Sequence, residues 1–210
     1  FTMLKEVVDL FPTPLMRVGQ AVSEELREQI VTGMEQQRRS TNFRSDQLSH
    51  TAVVDPGSSP LFNQVQQAAI PHITEFGAML FGESLQWAIK EMWCNVLETG
   101  GHQAVHSHAN SFVSAILYLT ATDSSARTAF HKALGGTEFL FSNFNKNAKQ
   151  GPYNSPKWVL PSVEPGDMVL YPSYLLHEVP TNRGQRRMTI AMNAIPNRLD
   201  SWGYSITFGK

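Results

Sequence analysis

Over roughly the first eighty residues the apolar positions recur at helical spacing, and beyond them they gather into short runs. Val22, Leu26, Ile30 and Met34 repeat at intervals of four, with Glu24, Glu25, Arg27, Glu28 and Gln29 between them, which predicts a helix over 21–37. Ser59 followed by Pro60 is a cap and a first-turn proline, and opens a second helix through Leu61, Val65, Ala69 and Ile73 to Met79. Pro71 is its expected kink. Met34, Phe76, Met79 and Phe81 are expected in the core rather than on an interaction stripe. The stretch 38–60 is rich in Ser, Asn, Asp and Gly and has no apolar period, so it reads as a long surface connection. Its length makes it the expected cover over the mouth of whatever follows.

From about residue 86 the pattern becomes short runs of aromatic and β-branched residues between Gly, Pro, Asn and Ser clusters. The expected strands are 88–98, 103–108, 112–120, 136–141, 157–163, 167–171, 177–179, 188–194 and 204–208. So many short strands imply a sandwich or barrel, and a two-sheet jelly roll best fits the count. The chain reads as one domain over 1–210, mainly β with N-terminal helices: 1–84 a helical buttress and connection, 85–210 the β core. The Asn- and Lys-rich segment 143–155 is expected as a loop beside one mouth.

Composition narrows the function classes. Seventeen Lys and Arg against eighteen Asp and Glu give a net charge of −1, with the basic residues scattered, so neither nucleic acid nor an anionic membrane is an expected partner. The partner expected is a small molecule or a side chain, and the free face of the N-terminal helices is the surface left for a homodimer. The single cysteine, Cys94, lies among Met92, Trp93, Val96 and Leu97 and is expected as a buried thiol in a reducing compartment. No apolar stretch reaches the roughly 18 residues that a membrane span needs, and the N-terminus lacks the layout of a secretory signal, so the expected location is the cytoplasm. A chain of this length builds its core without structural metals, so a metal bound here is expected to be functional.

Histidine carries the candidate chemistry. His106 and His108 are two apart on one expected strand, so alternation turns both to the same face. His177 follows about seventy residues later, after a turn and strand through Pro165, Gly166, Asp167 and Tyr171. A jelly roll can lay that strand beside the first and bring a third imidazole to a shared ion at about 2 Å. His50, His72, His102 and His131 lack such convergence and read as ordinary residues, although His102 could share the cavity. Arg187, Thr189, Ala191 and Asn193 then share one strand face. A guanidinium turned into a barrel is costly unless an anion meets it, and its fork suits a carboxylate, with the Thr189 hydroxyl adding a hydrogen bond.

Together these residues resemble the Fe(II)/2-oxoglutarate-dependent oxygenases, above all small bacterial and phage members of that superfamily. The stretches that match are His106-Ser107-His108, Pro165-Gly166-Asp167, His177-Glu178-Val179, Arg187-Met188-Thr189 and Ala191-Met192-Asn193. Trp93, Asn95, Gly101, Ser111, Ser114 and Tyr118 complete the likeness, which spans 92–196. The resemblance implies a double-stranded β-helix, a cupin-like jelly roll, that uses Fe(II), 2-oxoglutarate as co-substrate and O2. It implies a dioxygenase, by default a hydroxylase, coupling oxidative decarboxylation of 2-oxoglutarate to C–H oxidation of a substrate the sequence does not identify. By analogy His106 and His177 bind the metal, Arg187 and Thr189 hold the distal carboxylate, and Tyr118, Asn95 or Ser114 contact the co-substrate. Packed-aromatic and loop-bonding roles stand open for Tyr118 and Asn95.

The departure is His108, at the place where the superfamily usually has a carboxylate. Three imidazoles leave more charge on the metal than two imidazoles and one anion, which favours anionic chelators and admits Zn2+ or Ni2+. Glu98, Asp123, Glu138 and Asp167 are the carboxylates that could instead complete the site, ranked below His108; Asp167 also suits capping of the turn at Pro165-Gly166. The competing reading is a metal-binding cupin, a three-histidine dioxygenase or isomerase that does not use 2-oxoglutarate. Gly100 followed by His106-Ser107-His108 resembles the first cupin motif, but Phe112 and Val113 stand where its glutamate belongs.

Overall fold

The structure, a computed structural model, describes residues 5–35, 37, 39–132, 143 and 145–209. In chain order the elements are β1 (Met16–Val18), α1 (Glu24–Glu35), β2 (Ser40–Asn42), β3 (Ser45–His50), α2 (Pro60–Phe81), β4 (Trp87–Leu97), β5 (Gln103–His106), β6 (Val113–Tyr118) and β7 (Ala129–His131). There follow β8 (Lys157–Val159), β9 (Met168–Pro172), β10 (His177–Val179), β11 (Arg187–Pro196), β12 (Arg198–Ser201) and β13 (Tyr204–Thr207). An antiparallel seven-stranded sheet, β1-β9-β6-β11-β4-β3-β2, faces a four-stranded one, β5-β10-β7-β8, and β12 with β13 forms a separate hairpin. The expected strand over 136–141 and the acid Glu138 lie outside the described residues.

Both helices form where the apolar period places them. Ser23 caps α1, its Oγ accepting from Leu26 N at 3.2 Å, and Ile30 and Met34 are buried. α2 runs unbroken through Pro71 and ends at Gly82, whose left-handed φ of 77° lets its N–H close on Ala78 O. Val65, Ala69, Ile73 and Phe76 are fully buried against the sheet, whereas Met79 is 63% exposed and belongs to the solvent face.

The large sheet sorts its side chains by alternation, interrupted once in β4. Toward the helices go Met92, Cys94 and Val96 of β4, Met188, Ile190, Met192 and Ala194 of β11, Val113, Ala115 and Leu117 of β6, and Met168 and Leu170 of β9. A bulge where β11 shifts register between Asn193 and Ala194 inserts one residue into β4, so Ile89 and Met92 both face the helices. Toward the small sheet go Glu91, Trp93, Asn95 and Leu97 of β4 and Arg187, Thr189, Ala191 and Asn193 of β11, and this inner face carries the polar residues. Burial pushes the Cys94 thiol up to about 12, leaving it an inert core group on the helix side.

Two expectations need correction. The stretch 38–60 is not only a connection: β2 and β3 form a hairpin that extends the large sheet, with Leu48 opposite Leu97 and His50 opposite Asn95. β1 likewise pairs with β9, so the first eighty-four residues add three strands to the sheet as well as the helices. The hairpin is nearly all polar because its backbone, not its side chains, supplies the pairing, and Leu48 alone turns into a small core with Leu97, Ala126 and Val179.

Candidate active site

Between the sheets lies a cavity of about 410 Å3, bounded by β3 and the residues after it, β4, β5, β10 and β11. His106 ends β5 and His177 begins β10; they are antiparallel partners, and their ring centroids are 4.2 Å apart. His108 lies two residues past the end of β5, shorter than the expected strand, but its N–H donates to Ser173 O at 3.0 Å and keeps the backbone extended. Its ring is 5.1 Å from both other rings and 5.8 Å from Trp93. One nitrogen from each of the three lies within 4.8 Å of the others, the one such metal-capable cluster among the described residues.

Hydrogen bonds orient two of these rings. Nδ1 of His106 donates to Ala104 O at 2.8 Å and Nδ1 of His177 to Leu175 O at 2.9 Å, so each turns the lone pair of Nε2 inward. Burial disfavours the charged form of all three: it lowers His106, takes His108 down to about 4 and His177 to about 3. Neutral imidazoles with inward lone pairs suit a borderline divalent cation. Nitrogens bound at about 2.1 Å to one ion stand about 3 Å apart, so the rings need to close by only about 1–2 Å.

The carboxylates considered as a fourth donor are engaged elsewhere. Glu98 pairs with Arg186 at 2.8 Å, Asp123 accepts from Ser125 N at 2.9 Å, and Asp167 pairs with Arg17 of β1 at 2.7 Å.

Arg187 lines the same cavity at 4% exposure. Its Nη2 reaches Thr128 Oγ1 at 3.4 Å, its Cζ lies 5.2 Å from the centre of the Tyr118 ring, and its Nε has no hydrogen-bond partner. Burial lowers its pKa. A buried guanidinium so poorly satisfied by the protein suits an anionic ligand. Thr189 and Asn95 are opposite each other across β11 and β4 and both line the cavity; Asn95 Oδ1 accepts from Trp93 Nε1 at 3.2 Å and fixes that ring.

Ser114 and Tyr118 face inward but lie behind the cavity wall. The Ser114 hydroxyl is held by Ser173 and Asn193, and the Tyr118 hydroxyl by Thr128 at 3.0 Å, so neither borders the cavity. His102 does not border it either. His50 does, together with Asn42, Gln103 and Glu91, and only the alternation of β4 from Trp93 and Asn95 signalled any of these in advance. Of the Trp and Tyr residues, Trp93 and Tyr171 line it, while Tyr153, Trp158, Tyr174 and Trp202 are 49–95% exposed.

Residues 91–193 match the family model described as "Putative 2OG-Fe(II) oxygenase". Among solved structures the chain is similar to HygX from Streptomyces hygroscopicus with nickel and 2-oxoglutarate bound (TM-score 0.63, 13% identity, 88% of this chain and 83% of that one). It is also similar to a Pseudomonas putida prolyl-4-hydroxylase (TM-score 0.57, 14% identity, 86% and 92%) and to the epimerase SnoN of nogalamycin biosynthesis (0.63, 10%, 88% and 77%). No curated protein sequence matches the chain. At these identities the solved structures establish the double-stranded β-helix fold, and the family match covers the segment that carries all three histidines and Arg187.

Proposed function

The domain at residues 91–193 belongs to the Fe(II)/2-oxoglutarate-dependent oxygenases, and from that premise we propose that His106, His108 and His177 hold the metal and Arg187 the co-substrate. The observation that carries the reading is the Arg187 guanidinium, buried and with Nε unpaired, opening into the cavity that the three imidazoles share. Its fork takes the distal carboxylate of 2-oxoglutarate, and Thr189 adds a hydroxyl from the same strand face. With 2-oxoglutarate and O2, Fe(II) held there supplies the oxidising chemistry: succinate and CO2 are formed and a C–H bond of the substrate is oxidised.

The chain's own residues bind, orient and exclude water. The main-chain carbonyls of Ala104 and Leu175 set two of the rings, and Trp93, pinned by Asn95, stands beside the third, His108. Thr51, Ala52 and Val53, after the β3 hairpin, border the opening and are positioned to meet the substrate. The primary substrate is a small molecule or a side chain, because a cavity of about 410 Å3 that also holds 2-oxoglutarate has room for little more.

The test is succinate formation from 2-oxoglutarate with Fe(II) in air, compared between the wild type and Arg187→Ala. Turnover lost in the variant with metal still bound supports the reading. Retained turnover removes Arg187 from its role. A wild type that binds metal but forms no succinate favours the cupin alternative.

A further inference from the structure

Asn193 stands at the junction of two polar rows. In register it faces Glu91 on β4 and Ser114 on β6. Its Oδ1 accepts from Ser114 Oγ at 2.8 Å; Ser114 in turn lies 2.9 Å from Ser173 Oγ, to which Ser111 donates at 2.6 Å. That hydroxyl chain fixes the amide, whose Nδ2 then donates to Glu91 Oε2 at 2.9 Å and faces His108 Nδ1 at 3.4 Å. Glu91 borders the cavity, and its other oxygen lies 3.4 Å from Lys90 Nζ.

His108 is therefore wired unlike its two neighbours. Nδ1 of His106 and of His177 each meet a main-chain carbonyl, an acceptor, while Nδ1 of His108 meets an amide N–H, a donor. An imidazole that ligates through Nε2 carries its proton on Nδ1, and that proton needs an acceptor. The carboxylate that shares the Asn193 amide nitrogen with this ring is Glu91.

We propose that Glu91 is a positioning residue for the metal centre, an outer carboxylate that Asn193 holds beside His108 and that takes the Nδ1 hydrogen bond when this ring ligates. The anion that the superfamily usually places on the metal is then present one layer out, balancing the third imidazole. This rests on the three-histidine reading above and extends it to a residue that does not itself bind the metal.

The experiment is Zn2+ binding to the full chain by chelator competition, for the wild type, Glu91→Gln and Glu91→Asp, with nitrogen-resolved NMR of the imidazoles in the zinc-loaded proteins. E91Q keeps the size and the amide contact but loses the charge, and it is expected to bind Zn2+ about tenfold or more weakly. E91D, which keeps the charge, is expected to recover most of the loss. The loaded wild type is expected to show a slowly exchanging His108 Nδ1–H signal that E91Q lacks, while metal-free melting temperatures agree. E91Q binding as tightly as wild type overturns the proposal, as does weaker binding with the His108 Nδ1–H signal unchanged. A wild type that binds no Zn2+ refutes the three-histidine site itself, a different failure.

Discussion

The Tyr171 hydroxyl lies 3.1 Å from Nε2 of His177, on the lone pair that ligation would use. Nδ1 of that ring is committed as a donor to Leu175 O, so Nε2 accepts and the phenol donates. Tyr171 is 1% exposed, and burial pushes its hydroxyl well above the ordinary phenol range, so it stays a donor. Metal binding must displace this hydrogen bond, whose net worth is about 1 kcal/mol. Tyr171→Phe is therefore expected to bind Zn2+ about fivefold more tightly in the absence of 2-oxoglutarate, measured by chelator competition. Equal or weaker binding would show that the phenol does not compete for the ring.

Arg187 sets stability against function. A buried cation held only by a long hydrogen bond to Thr128 and by Tyr118, with Nε unpaired, is costly to the metal-free, co-substrate-free protein. Arg187→Met keeps the length and removes the charge. The variant is expected to gain about 1–3 kcal/mol of stability, read as a rise in melting temperature, and to lose on the order of a hundredfold in 2-oxoglutarate affinity. A variant that melts lower would mean that the guanidinium is better satisfied by the protein than its contacts indicate.

Helix α2 reaches the sheet through a glycine. A Cβ on Gly77 would run into the Trp87 indole, both of them in the core between helix and sheet. Trp87 cannot retreat without opening the contact with Phe81, whose ring centroid is 5.9 Å away. Gly77→Ala gains helix propensity but overpacks this contact, so a net loss of about 2 kcal/mol is expected in denaturant unfolding. Metal binding is expected to be unchanged, because the contact lies on the face of the sheet away from the cavity.

The site was legible wherever alternation alone decides direction. His106 with His108, and Arg187 through Asn193, needed only period two, and both sets face as the sequence implied. Ser114 and Tyr118 also face inward, but whether an inward side chain borders a cavity or is covered depends on the layers across the sheet. Here Asn193 covers Ser114 and Thr128 engages Tyr118, relations between strands that one strand's pattern does not contain. The β2–β3 hairpin left no apolar period because Leu48 is the only large apolar residue in its two strands, Phe43 being exposed in the turn, and backbone pairing does the rest. His50 shares that silence, since its place in the cavity wall follows from its register with Asn95. The bulge in β4 breaks the alternation that would have put Trp87 and Ile89 on the same face as Glu91.

Asp167 ties the N-terminal strand to the sheet and gives the fold an acid-sensitive joint. Its carboxylate, 3% exposed, accepts from Arg17 at 2.7 Å, from Glu164 N at 3.0 Å and from Gln20 N at 3.2 Å. Burial raises its pKa, but the Glu164 N–H and the Arg17 guanidinium outweigh that and hold it below the usual carboxylate value. A folded-state pKa below the unfolded one means that the unfolded chain binds the proton first. The contribution is thus complete above the unfolded value of about 3.9 and is lost as pH falls through the folded one. Asp167→Asn is expected to be less stable than wild type by about 2 kcal/mol near neutrality, since it keeps an acceptor but not the charge. The gap in melting temperature should stay constant from pH 7 to about pH 5 and narrow as pH falls below the unfolded value of about 3.9. A gap that persists unchanged into acid would show that shape and hydrogen bonding, not the carboxylate charge, hold β1 against β9.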